Sequence, residues 1–264
     1  MLNTYLELIR IRFLMMLAYR VNYYSGIIIY SLNIGVYYFL WMAIYGDAGS
    51  IRDMTAVQMA TYIAVAWMSR AFYFNNLDRE IAREIRDGTV AVQLIRPYHY
   101  LGVKMAQGFG EGLFRLLLFS VPGMAVVSLV FPIELPGIGE RWLWFVVSLL
   151  IGFVINSQIN MFTGLMAFYI MNNEGLIRAK RVIVDLLSGL ILPISFYPEW
   201  AQRILTYLPF QAISYQPSTI LAKGMARGEI AHVLLTQWIW AVVLWIPIQL
   251  LWIHARRRLI VQGG

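Results

Sequence analysis

Polar residues set at helical spacing inside otherwise apolar sequence are the first candidates for chemistry. Gly152, Asn156, Asn160 and Thr163 recur at intervals of four, four and three, which aligns them on one helix face, with Ser157 and Gln158 off that stripe. In hydrocarbon such groups either hydrogen-bond a neighbouring helix, the favoured reading, or wall a polar passage. Asp185 follows Arg181 by one turn, the spacing of an i,i+4 ion pair, and Glu111 stands in the same relation to Arg115. A role for Asp185 in cation recognition or gating is the sharper alternative. Arg70 also falls near the interior of an apolar run.

Catalysis has little to work with. His99, His232 and His254 lie on separate segments without an H-E-x-x-H pattern or an acid-rich loop, so no metal site is expected. No G-x-S-x-G elbow offers a serine nucleophile, and the lack of cysteine removes thiol chemistry and disulfides. A phosphate-cradling P-loop needs Gly-Lys, but Lys104, Lys180 and Lys223 follow Val103, Ala179 and Ala222. If ATP drives this protein, another polypeptide must bind it.

A denser set of charges occupies residues 75–104. Arg79, Glu80, Arg83, Glu84, Arg86 and Asp87 surround Ile81 and Ile85 at helical spacing, with Arg83 and Asp87 placed to pair. Gly88 suits the position just past a helix, Thr89 can cap a following short helix, and Pro97 stops that helix after Arg96. A solvated charged helix and a docking element for a cytosolic partner fit this pattern equally.

The elements that must position these groups are membrane helices. Apolar stretches at 21–44, 56–74, 105–131, 142–171, 182–196 and 233–253 predict an all-α membrane protein of six spans, most of them near the ~20 residues needed to cross hydrocarbon. The fifth is short. With 60% hydrophobic and 13% charged residues, no sizeable soluble domain fits beside them. The net charge of +7 resolves by placement: fourteen Lys and Arg fall in segments on one side, including Arg20 and Arg256, Arg257 and Arg258, against five on the other. That predicts both termini in the cytosol and calls for no nucleic acid; the last three arginines also suit anionic headgroups. Charged Glu7, Arg10 and Arg12 precede the first run, so a cleaved signal peptide is not expected.

Leu2, Tyr5, Leu6, Ile9, Phe13, Met16 and Leu17 share a face opposite Asn3, Glu7 and Arg10, predicting an interfacial helix over 1–20. Residues 197–231 alternate apolar runs with Pro198, Pro209 and Pro217, which suits short helices re-entering the outer leaflet with their broken backbone buried in protein. No repeat or linker divides 1–264, so one membrane domain is expected.

Two segments carry a resemblance: Glu84, Ile85, Arg86, Asp87, Gly88 and Thr89 with Leu94, Ile95, Arg96 and Pro97; and Ser188, Gly189, Pro193, Phe196, Tyr197 and Pro198 with Leu208, Pro209, Phe210, Tyr215, Pro217 and Gly224. In order and placement the chain resembles the ABC-2 type permeases, membrane subunits of bacterial ATP-binding-cassette exporters. The resemblance implies a multi-pass subunit of the bacterial plasma (inner) membrane, working with two copies of a cytosolic ABC ATPase that bind ATP and Mg, and with a second permease, identical or homologous. It implies that Glu84, Arg86, Asp87, Gly88, Thr89, Arg96 and Pro97 couple to the ATPase. It implies a translocation path or gate involving Asn156, Asn160, Asp185, Pro193, Pro198, Pro209 and Phe210. The expected substrate is hydrophobic or amphipathic: a drug-like cation, a lipid or a natural product. An ATP-independent secondary transporter or channel is the alternative, for which Asp185 and the Glu111/Arg115 pair are thin material.

Overall fold

The computed structural model describes residues 2–18, 21–52, 54–170 and 172–255. Arg20, Met171, Arg256, Arg257 and Arg258, used in the sequence argument above, lie outside them. In chain order the helices are α1 (Leu2–Ala18), α2 (Val21–Tyr45), α3 (Ala56–Tyr73), α4 (Leu77–Arg86), α5 (Val90–Leu94), α6 (Tyr100–Arg115), α7 (Val121–Val130), α8 (Glu140–Leu165), α9 (Glu174–Leu187), α10 (Glu199–Thr206), α11 (Tyr215–Ala222) and α12 (Arg227–Ala255). Strands β1 (Ser50–Ile51) and β2 (Met54–Thr55) form a small antiparallel ribbon with Ser50 opposite Thr55.

Four helical stretches among the described residues are long and apolar enough to cross a membrane: Gly26–Tyr45, Tyr100–Val130, Glu140–Phe168 and Arg227–Ala255. The protein is an all-α multi-pass membrane protein. The second predicted span, α3, lacks that apolarity because it faces protein: nearly every side chain from Met59 to Tyr73 is buried. A helix enclosed by other helices can carry Thr61, Ser69 and Arg70, whereas α2 and α12 turn Leu32, Val36, Phe39, Val242 and Ile246 outward. Thr55 starts α3 with a capping box, its hydroxyl accepting from the Gln58 amide at 3.2 Å while Gln58 accepts from the Thr55 amide at 3.0 Å.

The fifth predicted stretch is not one continuous helix. Helix α9 ends at Leu187, and the apolar run to Phe196 is not its continuation. At Gly189 the backbone turns left-handed with φ +85°, where a Cβ would sit 2.8 Å from that of Tyr215, so the chain changes direction there instead of extending α9. Leu190 and Ile194 of this run join the core, Leu192 and Phe196 are half-buried and Ile191 is exposed. The third predicted stretch starts earlier, at Tyr100, and widens into a π turn at Leu116–Ser120. Pro122 follows, and its missing N–H is absorbed by that local adjustment.

Helix α1 lies along α6, where Gly110 permits backbone contact: a Cβ there would stand 2.4 Å from the Ile9 carbonyl oxygen. Asn3, Glu7 and Arg10 face outward as expected, but so do Leu6, Ile11, Leu14 and Met15, giving α1 a second apolar face beyond the one packed on α6.

Candidate coupling loop and cationic cleft

Helix α4 opens the charged segment, and it is anchored rather than freely solvated. Leu77, Asp78, Ile81 and Ala82 are buried against α8 and its surroundings. Glu84 accepts from the Tyr100 hydroxyl at 2.7 Å and pairs with Lys104, and Arg86 reaches Asn173 Oδ1 at 3.3 Å. The expected Arg83–Asp87 pair does not form, because Asp87 is the exposed residue that ends the helix.

Gly88 takes the left-handed conformation predicted for it, with φ +69°. Thr89 does not cap α5: its hydroxyl turns back to the Glu84 carbonyl at 3.4 Å, serving the end of α4. Helix α5 stops at Leu94, two residues before Arg96, whose guanidinium donates to the Tyr98 hydroxyl at 2.8 Å. Asp87, Gly88, Thr89, Arg96 and Pro97 are thus exposed together, beside Val92 and an 85% exposed Ile95.

The polar stripe of α8 closes the break between α3 and α4. Past Tyr73 the chain is extended at Phe74, so the last carbonyls of α3 need partners inside the protein. Asn156 donates to the Tyr73 carbonyl at 2.8 Å, Asn75 donates to Ser157 at 2.9 Å, and Asn160 donates to Asn75 Oδ1 at 2.8 Å. Interhelical hydrogen bonding therefore accounts for Asn156 and Asn160. Thr163 bonds back to its own Ile159 carbonyl at 2.9 Å, and Gln158 leaves the stripe to reach the Ala241 carbonyl of α12 at 2.7 Å.

Asp185 does not pair with Arg181. Arg70, delivered by the last turn of α3, grips both oxygens of Asp185, one at 3.0 Å. Arg181 instead lies 5.1 Å over the Phe74 ring and 3.4 Å from Asn76 Oδ1. The same ring has Arg70 at 5.2 Å and Arg115 at 5.3 Å, and Arg115 also donates to the Phe74 carbonyl at 2.7 Å. The Glu111–Arg115 pair forms as expected, and Arg12 of α1 joins Glu111 at 2.8 Å while also meeting Glu80. Arg70, Phe74, Asn156, Asn160, Lys180 and Asp185 all border one cleft here.

Further along the chain, Pro193 and Pro209 are buried, Phe210 is half-buried and Pro198 is exposed. The fold-back they punctuate has backbone carbonyls that accept hydrogen bonds from side chains of α3 and α12 and from its own chain. The Tyr62 hydroxyl donates to the Gly189 carbonyl at 2.5 Å, Gln237 to the Ala212 carbonyl at 2.9 Å, and the Tyr215 amide to the Ser188 carbonyl at 2.9 Å. Helix α11 is buried against α3 and α8, while α10 leaves Trp200 and Tyr207 exposed.

A family model described as ABC-2 family transporter protein matches residues 31–263. The chain belongs to that family. It is accordingly an ABC-type permease; permeases of this family are membrane components, not themselves the ATPase, and generally pair with ABC ATPase subunits. No curated protein matches the chain. Within this ABC-2 permease the predicted residues fall into three places: the exposed loop after α4, the cleft at the end of α3, and the fold-back before α12. Phe74 and the re-pairing of Arg70 escaped the sequence reading; the signal present was Asn75 and Asn76 interrupting an apolar run.

Proposed function

We propose that this ABC-2 permease exports a hydrophobic or amphipathic substrate, using ATP hydrolysed with Mg in two copies of a separate cytosolic ATPase. The family match carries this reading. Two permeases, identical or homologous, enclose the path, and the chain crosses a bacterial inner membrane six times with both termini inside; α3 supplies the second crossing, and α9 with the fold-back to α11 the fifth. The outward apolar side chains of α2, such as Leu32 and Val36, suit a seam with lipid or a second permease.

ATP binding brings the two ATPases together, and the loop after α4 passes that motion to the membrane helices. Its architecture supports this role: the exposed Asp87, Gly88, Thr89, Arg96 and Pro97 follow helix α4, which packs against α8 and touches α9, so a push on the loop reaches both. Glu84 and Arg86 act by anchoring it through Lys104, Tyr100 and Asn173. Pro193, Pro198, Pro209 and Phe210 belong to the outer gate, while Asn156, Asn160 and Asp185 stand at the inner end of the path. The switch requires that substrate and nucleotide fit inward- and outward-facing states differently.

The test is capture of a cytosolic ABC ATPase by the tagged full-length chain, followed by ATP-dependent transport in proteoliposomes. Transport driven by an imposed ion gradient without nucleotide would replace this reading with that of a secondary transporter.

A further inference from the structure

The cleft at the end of α3 carries an imbalance of charge that the fold does not use. Arg70, Lys180, Arg181 and Asp185 are its charged lining residues, three cations against one carboxylate. Asp185 is engaged by Arg70, and Lys180 is engaged by Asp78 at 2.7 Å and by Asn160. Arg115 nearby has Glu111 and the Phe74 carbonyl. Arg181 joins no ion pair among the described residues; a ring face and a long contact to Asn76 are what it has. A half-buried guanidinium without a counter-charge in a low-dielectric wall favours an anion strongly.

A second hollow shares Arg70 and Phe74 with this cleft and is otherwise lined by Ile29, Tyr30, Asn33 and Trp67. It is walled by aromatic and aliphatic surface, and it borders the face of α2 where Ile28, Ile29 and Leu32 are exposed. Anion site and apolar slot are therefore neighbours, with Arg70 and Phe74 bordering both.

We propose that this composite cleft binds an amphipathic anion, a phosphate or carboxylate head at Arg181 with its apolar tail along Tyr30 and Trp67. In transport terms this rests on the permease reading and narrows its substrate class: amphipathic anions are accepted, and cations of the same tail are disfavoured by the charge of Arg181, unpaired among the described residues.

The binding test needs no transport. The full-length chain in phosphatidylcholine nanodiscs is titrated with dodecyl phosphate, with dodecyltrimethylammonium, and with inorganic phosphate. Saturable binding of dodecyl phosphate alone is expected, weakened about tenfold or more in Arg181→Gln, the loss of one charge-assisted hydrogen bond, and largely retained in Arg181→Lys. Trp67→Ala, which strips the slot and leaves the cations, should weaken dodecyl phosphate as well. Competition by phosphatidylglycerol added to the nanodisc makes a bilayer lipid the occupant; undiminished binding makes it a monomeric amphiphile. Equal binding of the cationic probe, or equal affinity in Arg181→Gln and the parent chain, overturns the site. Failure of the parent chain to capture an ATPase would instead overturn the permease reading and leave the site standing.

Discussion

Lys180 of α9 meets Asp78 of α4 at 2.7 Å, and the Asp78 side chain is completely buried. The pair fastens the charged loop to the cleft, since Lys180 also contacts Asn160 of α8. Removing one partner strands a charge away from water, so Lys180→Met should cost about 3–5 kcal/mol of stability. The double variant Asp78→Asn, Lys180→Met should recover most of that loss, because no lone charge remains. Thermal unfolding in one detergent compares the three; a double variant as unstable as the single one would refute the argument.

Gly112 of α6 makes a second prediction. A Cβ there would lie 2.4 Å from the Phe72 carbonyl oxygen of α3, a backbone atom that cannot rotate aside. Gly112→Ala should therefore push α6 from α3 and destabilise the protein by about 1–3 kcal/mol. Gly123→Ala, where nothing stands within 4 Å, should be neutral or slightly stabilising. Melting temperatures of the two variants should separate in that order.

How much of this was legible beforehand depended on whether a residue's partner was local. Glu111 and Arg115 lie on one helix turn, and that pair is present. Arg181 and Asp185 have the same spacing, yet Arg70 takes the carboxylate from 115 positions away, a competition no local pattern records. Helices α2, α8 and α12 announced themselves by apolarity, whereas the run from Leu190 to Phe196 buries Leu190 and Ile194 in protein, and hydropathy does not separate lipid from core. Gly189 and Pro193 were the cues that this run folds back. The α8 stripe was visible as a stripe; that it serves the broken end of α3 required the tertiary contact between Asn156 and the Tyr73 carbonyl.

The contact between α4 and α9 should show a pH dependence confined to acid. Glu174, ahead of the fifth predicted span, accepts from Arg79 at 2.8 Å, and this hydrogen bond holds its carboxyl below the usual carboxylate range. A lowered folded pKa means stabilisation that is present above the unfolded value, near ~4.3, and lost as pH falls through the folded value. Half-exposed pairs of this kind contribute roughly 0.2–1 kcal/mol. Wild type should thus be slightly more stable than Glu174→Gln at neutral pH, and the gap should narrow as pH falls below the unfolded value of ~4.3. Unfolding curves at pH 7 and pH 3.5 check this, and a gap that widens in acid would contradict it.

Two residues of the charged loop should fail in different ways. Ile95 is 85% exposed and touches little, so Ile95→Asp should leave folding stability within about 0.5 kcal/mol of wild type. If the loop docks on an ATPase, placing a carboxylate in that apolar contact should reduce capture of the ATPase at least about tenfold. Glu84 differs because it accepts from Tyr100 and holds the buried Lys104. Glu84→Ala should lower stability by about 1–3 kcal/mol, and its loss of capture should track the fraction unfolded. Melting temperature and ATPase capture measured on the same preparations separate docking from anchoring. Stable, fully capturing Ile95→Asp would move the docking surface away from α5.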